Sequence, residues 1–472
     1  MAASAVGARQ ARALALAPSP SARVVSAGSY FTMAINAHGQ LVWWGGDPLG
    51  AQQLAAKRTA AVADAADDDA PPAQQRTVAT DQALHTLWIP RTGRVVQVSA
   101  GGRHGALLLD TGAVFTFGEN AHGQLGTGDR LPVTSPRAVE TLRAARLRCH
   151  EVAAGRLHTL AIDEEGLVLA WGCGRHGALG QRSLDDALAP VRVEHLGVAA
   201  GVKVSGRVVT LAASDHCLAV TESGAVYAWG LGHSGQLGCG DERSHRRPRR
   251  IEALKHVFVV GVSAGHAHSL VLTSSGDAFA FGRGTSGQLG RAGMGSSSLP
   301  VMVELSLGVQ VAQVAAGGDH SLLLTTEGVV CTCGSGAFGV LGQGGTAPSE
   351  TARPILIGFG LESAAAVSAG FLHSVLVTAV RQTFTFGSNA SLQLGETMHA
   401  YSSIPRLVYG LLAAEPETRT RAVERPAARE ERTERSPLAS ARSAQAAVSA
   451  LFASVRGGVG GRRGSGALRP AA

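Results

Sequence analysis

The chain has 472 residues, a formal net charge of +7 and 61 glycines, which is about 13% glycine against an average near 7%. Charged residues make up 16% and apolar residues 45% of the chain, which excludes a disordered polyelectrolyte and allows a sizeable core. Aromatic residues make up 4%, which argues against a platform that stacks nucleic-acid bases. A membrane-spanning helix is not expected either, because no run of about 18 uncharged apolar residues is present.

Residues 1–21 are interpreted as a flexible segment that precedes the folded domain. Residues 1–46 contain no Asp or Glu but include Arg9, Arg12 and Arg23, a composition that leaves a mitochondrial presequence open. Ala- and Arg-biased chains produce such stretches readily, and no convincing secretory signal is present. The predicted location is therefore cytoplasmic or nuclear, with the mitochondrion as the alternative and no membrane association.

A short motif recurs seven times between residues 22 and 412. It consists of a small residue, Ala-Gly, two variable residues and, in six copies, a histidine. The glycines are Gly28, Gly101, Gly155, Gly265, Gly317 and Gly370, with Ala213 in the fourth copy. Successive motifs are 73, 54, 58, 52, 52 and 53 residues apart, and each is followed 17 residues later by another glycine. Such fixed offsets indicate a repeat architecture.

Each repeat is predicted to contain short β-strands rather than helices. Residues 269–273 and 277–281 are apolar runs separated by Ser-Ser-Gly, which is typical of a hairpin, and no helical period is present. A unit of about 50 residues with four short strands matches one propeller blade. The sequence therefore predicts an all-β, seven-bladed β-propeller of four-stranded blades over residues 22–412. We expect its N- and C-terminal strands to close the ring between the first and last blades.

Two charged segments lie between the predicted strands. The first repeat is about 21 residues longer than the others, and the extra residues fall within 47–90, which reads as a flexible acidic loop on one rim. Segment 241–250 follows a Leu-Gly pair and is expected to be exposed, where it could dock an acidic partner, act as a localisation signal or simply be solvated. Its candidate partner-binding residues are Arg243, Arg246, Arg247 and Arg249.

One histidine position recurs in six repeats, with Phe31 in its place in the first. The six are His104, His158, His216, His268, His320 and His373. The recurrence predicts a structural role, in which the imidazole bonds to backbone and holds the turn after the innermost strand. A shared metal ion is not predicted, because equivalent repeat positions lie too far apart around a ring.

An aspartate precedes this histidine in two repeats, giving the pairs Asp215–His216 and Asp319–His320. They are interpreted either as hydrogen bonds within a turn or as part of a partner-binding surface. A hydrolytic triad is not favoured, because no strained Gly-x-Ser-x-Gly elbow accompanies them. No catalytic residue, metal ligand or cofactor is predicted.

Neither the cysteines nor the C-terminal segment is predicted to form a specific binding site. Cys331 and Cys333 lie in a strand-like run and point to one face, which is typical of small core residues rather than zinc ligands. Residues 413–472 hold eleven Arg and six Glu. They are interpreted as a disordered Arg-rich tail whose contacts with nucleic acid would be weak and nonspecific.

The repeats resemble those of the regulator of chromosome condensation family, whose fold is a seven-bladed propeller. The resemblance covers residues 22–412 and rests on the small-Ala-Gly-x-x-His motif, an aromatic-Gly pair and Gly-Gln-Leu-Gly at 123–126, 235–238 and 287–290. It implies several roles: nucleotide exchange on the small GTPase Ran, scaffolding, ubiquitin-ligase targeting or ultraviolet sensing. In an exchange factor, Asp319 and His320 of Gly-Gly-Asp-His would engage the GTPase.

A non-catalytic protein-interaction scaffold is the favoured prediction. The exchange factor inserts a wedge from one hairpin region of its third blade. In repeats two to seven the glycines keep fixed offsets of 17 and then 8 residues, which leaves no room for a wedge there. Ultraviolet sensing requires Gly-Trp-Arg-His-Thr motifs, which this sequence lacks, and a ligase or kinase fusion requires a further domain of more than about 200 residues. The alternative is a guanine-nucleotide exchange factor for a Ran-like, Ras-related small GTPase.

Overall fold

The computed structural model describes residues 24–46, 84–87, 93–196, 206–305, 308–355 and 363–412, with the backbone of 198–199 and 202–203. Residues 1–21 and 413–472, interpreted as flexible termini, lie outside the described residues. So does most of the acidic segment 47–90, except for a short strand at His85–Leu87. Those interpretations therefore stay predictions.

Four consecutive antiparallel strands form each of seven sheets. Blade 1 contains β1 (Val25–Ala27), β2 (Phe31–Ile35), β3 (Leu41–Gly45) and β4 (His85–Leu87). Blade 2 contains β5 (Val95–Ala100), β6 (His104–Leu109), β7 (Val114–Gly118) and β8 (Val133–Ala138). Blade 3 contains β9 (Cys149–Ala154), β10 (His158–Asp163), β11 (Val168–Gly172) and β12 (Ala187–Arg192). Blade 4 contains β15 (Val208–Ala213), β16 (His216–Thr221), β17 (Val226–Gly230) and β18 (His245–Arg250).

The remaining blades repeat the arrangement. Blade 5 contains β19 (Val259–Ala264), β20 (His268–Thr273), β21 (Ala278–Gly282) and β22 (Ser297–Met302). Blade 6 contains β23 (Val311–Ala316), β24 (His320–Thr325), β25 (Val330–Gly334) and β26 (Ser349–Pro354). Blade 7 contains β27 (Ala364–Ala369), β28 (His373–Thr378), β29 (Gln382–Ser388) and β30 (Tyr401–Leu412). The predicted all-β, seven-bladed propeller of four-stranded blades is confirmed.

A few elements lie outside this pattern. A short helix α1 (Glu140–Ala144) follows β8, and 3-10 turns occur at Arg175–Gly177, Glu252–Leu254 and Ala337–Gly339. A small hairpin of β13 (Val198–Ala199) and β14 (Val202–Lys203), which was not predicted, lies in the connection between blades 3 and 4. No helix among the described residues is long and apolar enough to span a membrane.

The ring closes between blades 1 and 7, where β1 contacts β27 and β28. The Phe371 amide donates to the Gly28 carbonyl at 3.2 Å, and the Trp44 indole Nε1 donates to the Gln393 carbonyl at 2.9 Å. All the strands of blade 7 come from one continuous stretch of chain, as do those of blade 1. Closure therefore results from two complete terminal blades packing side by side, without an exchange of strands.

The apolar core lies in layers between neighbouring blades. One layer packs Trp44 and Phe31 of blade 1 against Val375 of blade 7, and another packs Trp171 of blade 3 against Leu108 of blade 2. Gly126 belongs to the second layer, with φ +70°, and a Cβ there would lie 2.8 Å from the Trp171 indole nitrogen. The last glycine of the Gly-Gln-Leu-Gly motif is therefore required both by its backbone conformation and by the close packing of blades.

The antiparallel order of each blade places two kinds of loop at the same end of the propeller. The turn between the first and second strands and the loop between the third and fourth strands leave from this end, which we call the loop face. The turns between second and third strands, and the connections between blades, leave from the opposite face. Hairpin β13–β14 therefore belongs to the face opposite the loop face.

Candidate functional site

The six histidines lie between blades, and each imidazole Nε2 contacts the second strand of the following blade. The pairs are His104–Thr159 at 2.9 Å, His216–Ser269 at 2.7 Å, His268–Ser321 at 2.9 Å, His320–Ser374 at 2.9 Å and His373–Thr32 at 2.7 Å. His158 lies 3.1 Å from the Cys217 sulfur in the same way. The histidines were predicted to bond to the backbone of their own turn. That partner is wrong, because each ring contacts a side chain of the next blade.

The glycine three residues before the histidine makes this geometry possible. A Cβ on Gly101 would lie 2.6 Å from the Cε1 atom of His104, so the ring occupies the space that a side chain would need. A Cβ on Gly28 would lie 2.5 Å from the Gly101 carbonyl of the next blade. Equivalent contacts surround Gly155, Gly265, Gly317 and Gly370.

The first repeat shows that the histidine and its partner belong together. Phe31 replaces the histidine in blade 1, and the residue that would receive its hydrogen bond in blade 2 is Gly105 instead of Ser, Thr or Cys. The space beside Gly105 is filled by Phe117 and Met33. An apolar contact has therefore replaced a polar one at this single seam.

The hydroxyl groups determine the tautomer of the rings. Thr159 Oγ1 donates to the Gln124 carbonyl at 2.8 Å, and Ser269 Oγ donates to the Gln236 carbonyl at 2.7 Å. Because the hydroxyl hydrogen is used there, the imidazole Nε2 must donate to the hydroxyl oxygen. This assignment follows from the hydrogen-bond network.

Burial keeps all six rings neutral. Desolvation lowers the pKa of His104, His268 and His373 to about 3. It likewise lowers the pKa of His158, His216 and His320 to about 4. His216 is 0% and His320 is 1% exposed, so neither can contact a partner, and the prediction that they do is wrong.

The two aspartates of the Asp-His pairs lie on the loop face and bond to arginines of the preceding blade. Arg156 Nε donates to Asp215 Oδ1 at 2.7 Å and to Oδ2 at 2.9 Å. Arg283 donates to Asp319 Oδ1. Both carboxylates therefore form ion pairs between blades. Of each Asp-His dipeptide, only the aspartate is accessible to solvent, because the histidine is buried.

The predicted arginine loop is largely the outer strand of blade 4. Strand β18 pairs with β17 through Gly230↔His245 and Tyr227↔Arg250, so its backbone is ordered by a ladder rather than free in a loop. Arg247 Nε lies 3.3 Å from Glu194, and Arg249 Nη1 lies 2.9 Å from Asp241. These ion pairs are between exposed or half-exposed groups, and each is worth only about 0–1 kcal/mol.

Arg243 and Arg246 line a cavity of about 770 Å³ on the loop face, where the third-to-fourth-strand loops of blades 2, 3 and 4 meet. The other lining residues are His122, Cys173, Arg175, His176, Leu184, Asp186, His233, Glu242 and Ser244. Of these lining residues, only the arginines of segment 241–250 were predicted from the sequence. Burial, followed by the neighbouring His233, lowers the pKa of His176 and favours its neutral form.

The cavity has an excess of unpaired positive charge. Among the described residues, no carboxylate is ion-paired with the guanidinium groups of Arg175, Arg243 or Arg246. Of the two carboxylates in the lining, Asp186 is already bonded to His122 and to Arg130, each at 3.0 Å. Glu242 is the other.

A second cavity tests whether the fold alone produces this charge. It has about 320 Å³, lies between blades 5 and 6, and is lined by residues that include Ser286, Ser335 and Glu350. Glu350 follows Ser349, which pairs with Gly334, just as Arg246 follows His245, which pairs with Gly230. Glu350 is therefore the counterpart of Arg246, and the fold supplies the cavity while the sequence supplies its charge.

Two family models, both described as the regulator of chromosome condensation (RCC1) repeat, match the chain. One matches residues 111–162, 165–220, 223–272 and 275–324, and the other 95–124, 149–178, 259–288 and 311–340. Together they span about half of the chain and fall on blades 2 to 6.

Curated relatives share these repeats. The Ultraviolet-B receptor UVR8 of Arabidopsis thaliana is 35% identical over 263 residues, which are 56% of this chain and 57% of UVR8. The E3 ubiquitin-protein ligase HERC2 of Homo sapiens is 33% identical over 322 residues, which are 67% of this chain and 6% of HERC2. The chain thus spans little more than half of UVR8 and a small part of HERC2.

Solved structures share the fold. Human WBSCR16 aligns with a TM-score of 0.61 at 24% identity, covering 69% of this chain and 83% of its own. Prp20p from Saccharomyces cerevisiae, described for its binding to Gsp1p and histones, aligns with a TM-score of 0.58 at 23% identity, covering 67% and 77%. At these identities the likeness concerns the propeller alone.

Proposed function

Because this chain belongs to the regulator of chromosome condensation (RCC1) repeat family, we propose that it is a non-catalytic protein-interaction propeller whose loop face docks an acidic segment of a partner protein. The observation that carries the proposal is the basic cavity at blades 2 to 4, with Arg175, Arg243 and Arg246 unpaired among the described residues. The charge of this cavity determines which kind of peptide segment we propose it binds.

Guanidinium groups in such a setting favour carboxylates. Arginine presents planar donors that bind a carboxylate through two parallel hydrogen bonds, and the bonds strengthen when water is partly excluded. The cavity has about 770 Å³ and is open to solvent, so it can admit several side chains of an extended peptide. An Asp- and Glu-rich segment is therefore the partner chemistry that fits best.

Charge reversal in the cavity is expected to weaken binding of acidic peptides. Arg246→Glu and Arg243→Glu should each raise the dissociation constant roughly tenfold or more, since a hydrogen bond to a charged group is worth about 1.5–3 kcal/mol. The measurement is fluorescence anisotropy with the full chain and a panel of labelled Asp- and Glu-rich peptides, with their Asn- and Gln-substituted versions as ligand controls.

The matched control is Arg353→Glu. Arg353 is an exposed residue of β26 that pairs with Thr332 of β25, and it occupies in blade 6 the register position of Arg249 in blade 4. The substitution changes the net charge by the same amount but far from the cavity, so binding should hold. Equal losses in all three variants, or no loss in the two cavity variants, would reject the cavity as the docking site.

Guanine-nucleotide exchange on a Ran-like GTPase stays the alternative proposal, supported by the fold shared with Prp20p and by Asp215 and Asp319 on the loop face. Both aspartates are held by arginines, and hairpin β13–β14 emerges from the opposite face, away from them. We expect the full chain not to accelerate nucleotide release from Ran. Acceleration that is lost in Asp319→Ala and kept in Asp277→Ala, an exposed turn residue of the opposite face, would favour exchange instead.

A further inference from the structure

Three metal-ligating side chains meet at the wall of the cavity, at the seam between blades 2 and 3. The Nδ1 atom of His122, the sulfur of Cys173 and a carboxylate oxygen of Asp186 all lie within 4.8 Å of one another. We propose that these residues form a zinc site whose fourth position opens into the cavity. The inference does not depend on the acidic-partner proposal, because it rests on the side-chain cluster rather than on the arginines.

The donor set matches zinc chemistry. Zinc prefers four tetrahedral ligands drawn from thiolate, imidazole and carboxylate, at about 2.3 Å from sulfur and about 2.0–2.2 Å from nitrogen or oxygen. Such bond lengths separate neighbouring donor atoms by roughly 3.3–3.6 Å. His122 Nδ1 and Asp186 Oδ2 are 3.0 Å apart, so this pair needs to separate by only a few tenths of an ångström to admit the ion in place of the shared hydrogen. The Cys173 sulfur lies within 4.8 Å of the other two donor atoms and would complete the set by a side-chain movement towards them.

Backbone hydrogen bonds already hold the three ligands in place. The Gly174 amide donates to Asp186 Oδ1 at 3.2 Å, which leaves Oδ2 directed to His122. The His122 amide donates to the Gln124 side chain at 2.9 Å. The Cys173 amide donates to the Leu157 carbonyl at 2.9 Å, and the cysteine is 5% exposed. The site is thus built on ordered loops of two blades.

The fold does not require this combination of residues. In blades 4 and 5 the bond to the loop glycine is made by a serine, from Gly232 to Ser244 at 3.3 Å and from Gly284 to Ser296 at 3.2 Å. A serine hydroxyl therefore suffices for the structural task. Leu231 and Arg283 stand where blade 3 has Cys173, so a cysteine is not needed there either.

The surrounding charges fit a bound cation with two anionic ligands. A thiolate and a carboxylate together balance the double charge of zinc. Arg130 Nη1 lies 3.0 Å from Asp186 Oδ2 and would then hold the carboxylate from outside the coordination sphere, an arrangement that commonly orients metal ligands.

Cobalt(II) provides a direct test on the full chain, stripped of metal with a chelator. We expect equimolar binding with a thiolate-to-cobalt absorption band, displacement of cobalt by zinc, and a zinc-dependent rise in melting temperature. Cys173→Ser should abolish the absorption band, and His122→Asn and Asp186→Asn should each weaken zinc binding by at least tenfold.

The matched control is His176→Asn. His176 occupies in blade 3 the repeat position that His122 occupies in blade 2, and it lines the same cavity. Binding should be unchanged in this variant. The proposal is overturned if no thiolate band forms in the unaltered chain, or if zinc affinity is the same in Cys173→Ser and His122→Asn as in the parent. The Asn substitution at Asp186 retains an oxygen for the Gly174 amide, so a loss there is not simply a loss of the loop.

Discussion

Deletion of residues 382–472 is expected to abolish the cooperative unfolding transition of the whole propeller. The deletion removes β29 and β30, leaving blade 7 with only β27 and β28. It also strips Trp44, which is fully buried, of the Gln393 carbonyl and of Val408 in the same apolar layer. The contacts of β1 with β27 and β28 remain, but the outer part of the seam between blades 1 and 7 loses its packing. We expect that loss to approach the roughly 5–15 kcal/mol that holds a typical domain together.

The control is a deletion of residues 413–472, which leaves every described strand in place. We expect this chain to keep the melting temperature of the full-length protein in differential scanning calorimetry. A cooperative transition at the parental temperature after deletion of 382–472 would show that the propeller is stable without the two outer strands of blade 7. The contacts of Trp44 with the outer strands of blade 7 and the loop between them would then be of little energetic importance.

The fold could be predicted because the repeat spacing reports contacts between blades. A glycine such as Gly28 recurs where a neighbouring blade's carbonyl leaves no space for a Cβ, so its period is the period of the blades. Closure was predicted because the strand expected after the last repeat is missing there and is present before the first repeat, at residues 23–28. Hairpin β13–β14 was missed, because only a few additional residues before Ala213 signal it.

The sequence contains a pattern from which the hydrogen bonds between blades could have been predicted. The residue after each histidine from blade 3 onward is Thr159, Cys217, Ser269, Ser321 or Ser374, all able to pair with an imidazole. Gly105 breaks this series in the blade that follows Phe31. A comparison of each histidine with the next repeat, rather than with its own turn, would have found the partner.

The cavity on the loop face could not be predicted in this way. His122 and Arg246 are separated by two repeats, and they approach only because the loops of three blades pack together. The charge of segment 241–250 was recognised, but alternation along β18 separates its members. Arg246 lines the cavity, whereas Arg247 turns to Glu194. Local sequence patterns do not encode which side chains of a strand meet a neighbouring loop.

Acidification from pH 7.5 to 5.5 is expected to destabilise the propeller steeply. Burial lowers the pKa of each of the six imidazoles from its ordinary value of 6.5 to about 3 or 4 in the folded chain. As the pH falls through 6.5, the unfolded chain therefore binds protons that the folded chain does not, so the free energy of unfolding falls as well. The fall continues until the folded pKa values are reached.

The expected effect is large because the six groups act together. Each imidazole lowers the free energy of unfolding by about 1.4 kcal/mol between pH 7.5 and 5.5, so the six together remove about 8 kcal/mol. That amount is comparable to the whole stability of a typical domain. Urea unfolding of the full chain at a series of pH values across this range measures the loss, and its slope against pH gives the number of protons taken up on unfolding.

Single substitutions separate the buried rings from other titrating groups. His268→Gln removes one buried imidazole, so proton uptake on unfolding should decrease by about one, even if stability at pH 7.5 is lower. His38→Gln, at an exposed turn position, should leave the uptake close to that of the parent. An unfolding free energy that stays constant from pH 7.5 to 5.5 would mean that the rings are hydrated or charged in the folded chain. The interblade hydrogen bonds from Nε2 to Thr159, Ser269 and their equivalents would then not be the form present in solution.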